Sequence, residues 1–137
     1  MSQRNKDVAA AFFVALGRGD VAGLQRVLHP ELVAIATGTS LFSGTRRVQD
    51  VLDAAAMLKS AAPEGIEFTV VSMTAEENRV SAEAEGRSVL ANGSPYDNQY
   101  HFLFTVQDGQ IVGIKEYFCT KLADAALGPL VAGGATG

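Results

Sequence analysis

The chain has 137 residues, 11 basic and 15 acidic, and a net charge of −4, with 47% apolar and 19% charged side chains. That length suits one domain burying about 68–70% of its unfolded surface, and that composition excludes disordered and collagen-like chains. No basic block suggests nucleic acid as a partner, and the lone cysteine Cys119 with two histidines, His29 and His101, excludes a disulfide framework and leaves little for a transition-metal centre.

The predicted elements begin with a helix over Asn5–Arg18, where Val8, Phe12, Ala15 and Leu16 fall on one face. The apolar run Val8–Leu16 behind Arg4 and Lys6 imitates a secretory signal. Asp7 interrupts the basic region, however, and no small-residue cleavage site precedes Arg18 and Asp20. The run is also far shorter than the about 20 residues that span a bilayer. A cytoplasmic protein with no membrane partner is therefore expected. Asp20 caps a second short helix that carries Val21, Leu24, Val27 and Leu28 and ends at His29-Pro30. Residues 32–37 read as a strand, and a Gly/Ser/Thr-rich loop follows from Gly38 to Gly44. A third helix runs over Thr45–Ser60, closed by Pro63 and Gly65.

The pattern then changes to strands: Ile66–Thr74, Val80–Ala91, Tyr96–Gln107 and Gln110–Thr120. Asn92-Gly93 and Asp108-Gly109 between alternating runs are hairpin signals. A short helix over Lys121–Leu127 and a mobile tail over 128–137 complete the chain. Helices first and an antiparallel meander second describe one α+β domain over residues 1–127. Its expected shape is a cone: a strongly curved sheet with three N-terminal helices over its concave face and a cavity at the wide end.

The candidate chemistry lies in the meander and turns on register. With a two-residue Asn92-Gly93 turn, facing residue numbers add to 185, and Glu83, Glu85 and Arg87 share a face with Phe102, Phe104 and Val106. The three charged groups then line the cavity and need one another as partners. A slip to 184 instead turns Ala82 and Ala84 inward and leaves the charges on a solvated outer face. Hydrophobicity favours the slip and the turn chemistry opposes it, so spacing alone leaves both open. Glu116 alternates with Val112, Ile114 and Phe118, which puts a carboxylate among apolar neighbours and makes it a candidate acid or base with a raised pKa. The competing reading is a structural Glu paired with Arg87. A three-residue loop, Gln107-Asp108-Gly109, places Glu116 opposite Tyr100, and a two-residue loop places it opposite His101. Gly109 at the last loop position favours the former.

His29 reads as a cap or surface residue, while His101 and Cys119 fall on the outer face. Phosphate-binding glycine loops, His-Glu-x-x-His and Gly-x-Ser-x-Gly are absent from the sequence.

The order of elements, together with NGSPYDNQYHFLFTVQDGQIVGIKEYFCT at 92–120, resembles the nuclear-transport-factor-2-like (NTF2-like) superfamily over about residues 5–127. The likeness is greatest to its SnoaL-like polyketide cyclase and limonene epoxide hydrolase branches. That resemblance implies a cystatin-like cone, usually a homodimer through the outer sheet face, with a deep apolar pocket and no cofactor. It also implies catalytic roles for Glu116 and Glu85, with Arg87 holding their charges apart. Glu83, Asn98, Tyr100, Phe102 and Phe118 would contact the substrate. Two departures weigh against epoxide hydrolysis itself. Glu83 stands where the hydrolases carry the Arg that bridges their acids, and Ala34 and Ala36 stand where their water-binding Tyr and Asn would be. Nor do ketosteroid isomerase positions carry over, because the first helix offers Phe12 and Phe13 where those enzymes have a Tyr. The expected function is a cofactor-independent isomerase, cyclase or hydrolase acting on a small, largely apolar molecule. A non-catalytic ligand-binding protein of the same fold is the alternative.

Overall fold

The computed structural model describes residues 2–136, and the side chains of residues 2–130. Helix α1 covers Ser2–Arg18 and α2 covers Val21–Val27, the latter capped by the Asp20 carboxylate, which accepts from the Gly23 N–H at 3.0 Å. Strand β1 (Leu28–Ala36) leads through a short β2 (Gly44–Arg46) to α3 (Val48–Ala61). The long strands follow as β3 (Glu67–Glu76), β4 (Arg79–Arg87), β5 (Asn98–Gln107) and β6 (Gln110–Phe118), before α4 (Thr120–Thr136). The sheet order is β2-β1-β6-β5-β4-β3, antiparallel except where β1 runs parallel to β6. It is curved and unclosed, and the chain adopts the expected α+β cone, with the three N-terminal helices and the terminal helix all present.

Three elements differ most from expectation. β1 starts at Leu28, within the stretch that reads as the end of the second helix and its His29-Pro30 stop. β2 forms inside a stretch that reads as loop and helix start, because Gly44, Thr45 and Arg46 find partners in Ala36, Ile35 and Ala34. α4 continues past Leu127, with Leu127 buried and Leu130 packed on the same cluster. The side chains of 131–137, where a mobile tail was expected, lie outside the described residues.

The core is aromatic. Phe12 and Phe13 of α1 pack edge-on to Phe104 at 5.4 and 5.7 Å between ring centres, and Phe13 meets Phe102 at 5.1 Å. These offset contacts suit ring quadrupoles and fix how α1 lies on β5. A second cluster of Ala62, Ile66, Leu90, Tyr96, Ala123 and Leu127 joins the end of α3 to α4.

Both hairpins take the turn length opposite to the one their glycine dipeptides suggest. At the first, Leu90 N–H donates to Ser94 O at 2.8 Å, enclosing the three residues Ala91, Asn92 and Gly93. Only Gly93 has positive φ (85°), whereas a two-residue type I′ turn needs it at both central positions. The Asn92 side chain instead accepts from Ser94 N–H at 3.0 Å. β4 therefore pairs with β5 as Ala82↔Phe102, Ala84↔Tyr100 and Glu85↔Gln99. Facing numbers add to 184, and the inward charged set is overturned: Glu83, Glu85 and Arg87 are exposed on the convex face.

At the second hairpin both Asp108 (φ 52°) and Gly109 (φ 79°) lie in the left-handed region, the signature of a two-residue loop. Left alone, that loop would point Glu116 outward. A bulge prevents it: Val106 pairs with Ile111 but Thr105 pairs with Gly113, so Val112 is skipped. Ile111, Ile114, Glu116 and Phe118 thus share the concave face, with Glu116 opposite Phe102 instead of Tyr100.

Candidate active site

The inner face of the sheet leaves a hollow because β1 presents only Ala34 and Ala36 there, each nearly fully buried. Ala36 pairs with Glu116 and Ala34 with Arg46, so this low ridge is flanked by an acid on one side and a guanidinium on the other. Leu16 and Phe12 of α1 and Val51, Ala54, Met57 and Leu58 of α3 roof the hollow, while Phe42, Ala123 and Leu127 lie around its rim. Tyr96, Tyr100, Phe102 and Phe118 complete the wall. The cavity measures about 140 Å³.

Glu116 is the only carboxyl in this wall among the described residues. Burial pushes its pKa from 4.5 up to about 7, and Arg46 pulls weakly the other way. The cause is desolvation: the ionised form loses water that a hydrocarbon wall does not replace. The Thr37 N–H (3.0 Å) and Oγ1 (2.9 Å) both donate to the Glu116 carbonyl oxygen, which pins the backbone from which the acid projects. A carboxyl that titrates near 7 is matched to donating and accepting protons at neutral pH.

Beside it stands a polar cluster. Asn98, only 3% exposed, donates from Nδ2 to the Tyr96 hydroxyl at 2.9 Å and to the Cys119 carbonyl at 3.2 Å. The Tyr100 hydroxyl lies 3.5 Å from that of Tyr96. Burial raises the pKa of both tyrosines, and the negative charge of Glu116 adds to the rise, so both hydroxyls stay protonated at neutral pH.

Of the residues singled out in the sequence, Glu116, Tyr100, Phe102 and Phe118 line one cavity, and Asn98 buttresses it from behind. Glu83, Glu85 and Arg87 lie on the opposite face of the sheet and cannot reach it. His101 lies on that outer face, its Nε2 2.6 Å from Ser81 Oγ, and Cys119 is exposed. Two polar residues of the wall carry no role in the sequence analysis. Tyr96 continues the alternation of Asn98, Tyr100 and Phe102, which is a signal that could have found it. Arg46 has none, because its place follows from the β2–β1 pairing alone. Among the described residues no group of three His, Cys, Asp or Glu side chains could hold a metal ion. No helix among them is long and apolar enough to cross a membrane.

An open, curved sheet wrapped around helices with an acid in an apolar hollow defines the class of small cavity-bearing NTF2-like domains. The model of the SnoaL-like domain matches residues 9–114, and the chain belongs to that family. Among solved structures it is similar to a candidate SnoaL-like polyketide cyclase from Jannaschia sp. CCS1, at 17% identity and TM-score 0.76, covering 91% of this chain and 92% of that one. An NTF2-like protein from Burkholderia xenovorans LB400 has 25% identity and TM-score 0.71 over 92% of this chain and 97% of its own. PrhC from Penicillium brasilianum NBRC 6234 superposes with TM-score 0.85 at 16% identity, over 98% and 92%. No curated protein matches the chain.

Proposed function

We propose that the protein is a cofactor-independent acid/base enzyme of the isomerase, cyclase or hydrolase type, acting on a small, largely apolar molecule held in the cavity. Glu116 moves the proton, and Tyr100, Phe102 and Phe118 shape the space in which the substrate lies. The observation that carries this reading is the position of Glu116, an acid whose pKa burial lifts to about 7 in a wall that is otherwise mostly hydrocarbon. The SnoaL-like family and the polyketide cyclase candidate among its structural neighbours support it. Glu85 and Arg87, facing the other way, have no part in it.

A test that needs no knowledge of the natural substrate is the ring opening of 5-nitrobenzisoxazole. A base removes its C–H proton, the electron pair breaks the N–O bond, and a coloured phenolate appears. Turnover should rise as pH passes through about 7 and ionises Glu116. Glu116→Gln should lower it by about 10²-fold, the lower end of what a positioned base contributes. A Gln variant as fast as the native chain would end the assignment.

A non-catalytic ligand carrier is the second reading, favoured by the fact that the cavity wall holds a single carboxyl among the described residues. It predicts binding of the benzisoxazole with no turnover above solution. We further propose that two copies associate through the outer sheet face, where Ile35, Val71 and Tyr117 are exposed. Sedimentation equilibrium of the native chain should then give twice the monomer mass, and a monomer at high concentration would refute it.

A further inference from the structure

The cavity wall is apolar except beside Glu116 and Arg46, and at one corner where the hydroxyls of Tyr96 and Tyr100 meet, backed by Asn98. The orientation of the Asn98 amide there is settled by the backbone. Its Oδ1 accepts from Gln99 N–H at 2.7 Å and from Cys119 N–H at 3.3 Å, so the end that faces the Tyr96 hydroxyl at 2.9 Å is the NH2 group. An amide NH2 only donates, and it occupies one lone pair of the Tyr96 oxygen. The Tyr100 hydroxyl donates into the other from 3.5 Å. A hydroxyl has two lone pairs and one proton, so these contacts leave the Tyr96 proton unused on a residue that lines the hollow. Were the contact between the two tyrosines reversed, the Tyr100 proton would be the one left over, because two hydroxyls that share one hydrogen bond always retain one donor.

We propose that this corner seats an acceptor oxygen of the ligand, so that the pocket takes small apolar ketones, with Tyr96 as the donor and Asn98 as the residue that sets its polarity. A ketone fits because its oxygen accepts without bringing a proton that the hydrocarbon wall would leave unpaired. A carboxylate does not, since it would place a second negative charge beside Glu116. This deepens the acid/base reading and takes from it only the choice of cavity.

The probe is acetophenone labelled with ¹³C at its carbonyl, and the measurement is the infrared difference spectrum of the bound molecule. In the native protein the carbonyl stretch should lie at lower frequency than in cyclohexane. Tyr96→Phe should return it to the cyclohexane position while the ring still binds, and Tyr100→Phe should keep the shift. Asn98→Asp, whose carboxyl would draw the Tyr96 proton to itself, should also abolish the shift. Should that variant fail to fold, the two tyrosine variants decide the matter. Glu116→Gln should bind acetophenone with the shift intact, so a failed ring-opening assay and a failed infrared test have separate meanings. Equal frequencies in the native chain and Tyr96→Phe, a shift that survives Asn98→Asp, or no saturable binding of acetophenone would each overturn the proposal.

Discussion

Replacing Glu116 by Gln isolates the cost of keeping an acid in the cavity, and the sign of the effect follows from its raised pKa. Below pH 4.5 the carboxyl is protonated both in the folded chain and in the unfolded one, and it contributes no pH dependence. Between 4.5 and about 7 the unfolded chain ionises first, so the folded state holds the extra proton and stability falls as pH rises. Above that range both states are ionised and the loss is complete. The gap between 4.5 and about 7, at 1.36 kcal/mol per pH unit, amounts to about 3 kcal/mol. Glutamine keeps the shape and has nothing to ionise. Urea unfolding of both proteins at steps from pH 4 to 8.5 should therefore show the variant gaining on the native chain by about 3 kcal/mol across the series. The gain should concentrate between pH 5 and 7. A stability difference that stays constant over that interval would refute the desolvated acid, and with it the basis for Glu116 as a proton shuttle.

Phe104 is fully buried among three other rings, and Phe104→Ala should cost about 3–5 kcal/mol in urea unfolding, with α1 loosened from the sheet. Glu85 and Arg87 face water, so Glu85→Gln should change stability by no more than about 0.5 kcal/mol and leave benzisoxazole turnover unaltered. A large loss of turnover would return β4 to the other register. The Asp124 carboxylate accepts from Ser40 Oγ at 2.7 Å and from Leu41 N–H at 3.1 Å, tying the loop that carries Phe42 to α4 at the cavity rim. Asp124→Ala should cost about 1 kcal/mol and speed amide hydrogen exchange over residues 38–43, with the β5 amides unaffected.

Periodicity was enough to read α1, the four long strands and the aromatic face of β5, because each is a local pattern repeated over many residues. The registers were not legible, since they depend on turn length, and Asn-Gly and Asp-Gly admit both two- and three-residue loops. At the first hairpin the better guide was the pair Ala82 and Ala84. Two small apolar residues opposite Phe102 and Tyr100 fill the core with no ion to desolvate, while burying Glu83, Glu85 and Arg87 together would have been costly. Glu116 was found for a sound reason through a partly wrong route. Its neighbours Ile114 and Phe118 do point inward, but Val112 does not continue the series, and the expected three-residue loop is a two-residue loop corrected by a bulge. Tyr96 was within reach, sharing parity with Asn98 and Tyr100. Arg46 was not, because nothing local announces that a three-residue strand will fold back on β1.

The skipped position in β6 makes Val112 a spare link in the chain. Deleting it would leave each ladder partner from Gly113 onward where it is, with the acid still facing the hollow. Deleting one residue between Gly113 and Glu116 would keep that carboxyl inward only by giving up the bulge, which turns Gly113 into the place of Ile114 in the core. Shortening of this strand therefore removes a spare link on one side of a single peptide unit and empties a core position on the other.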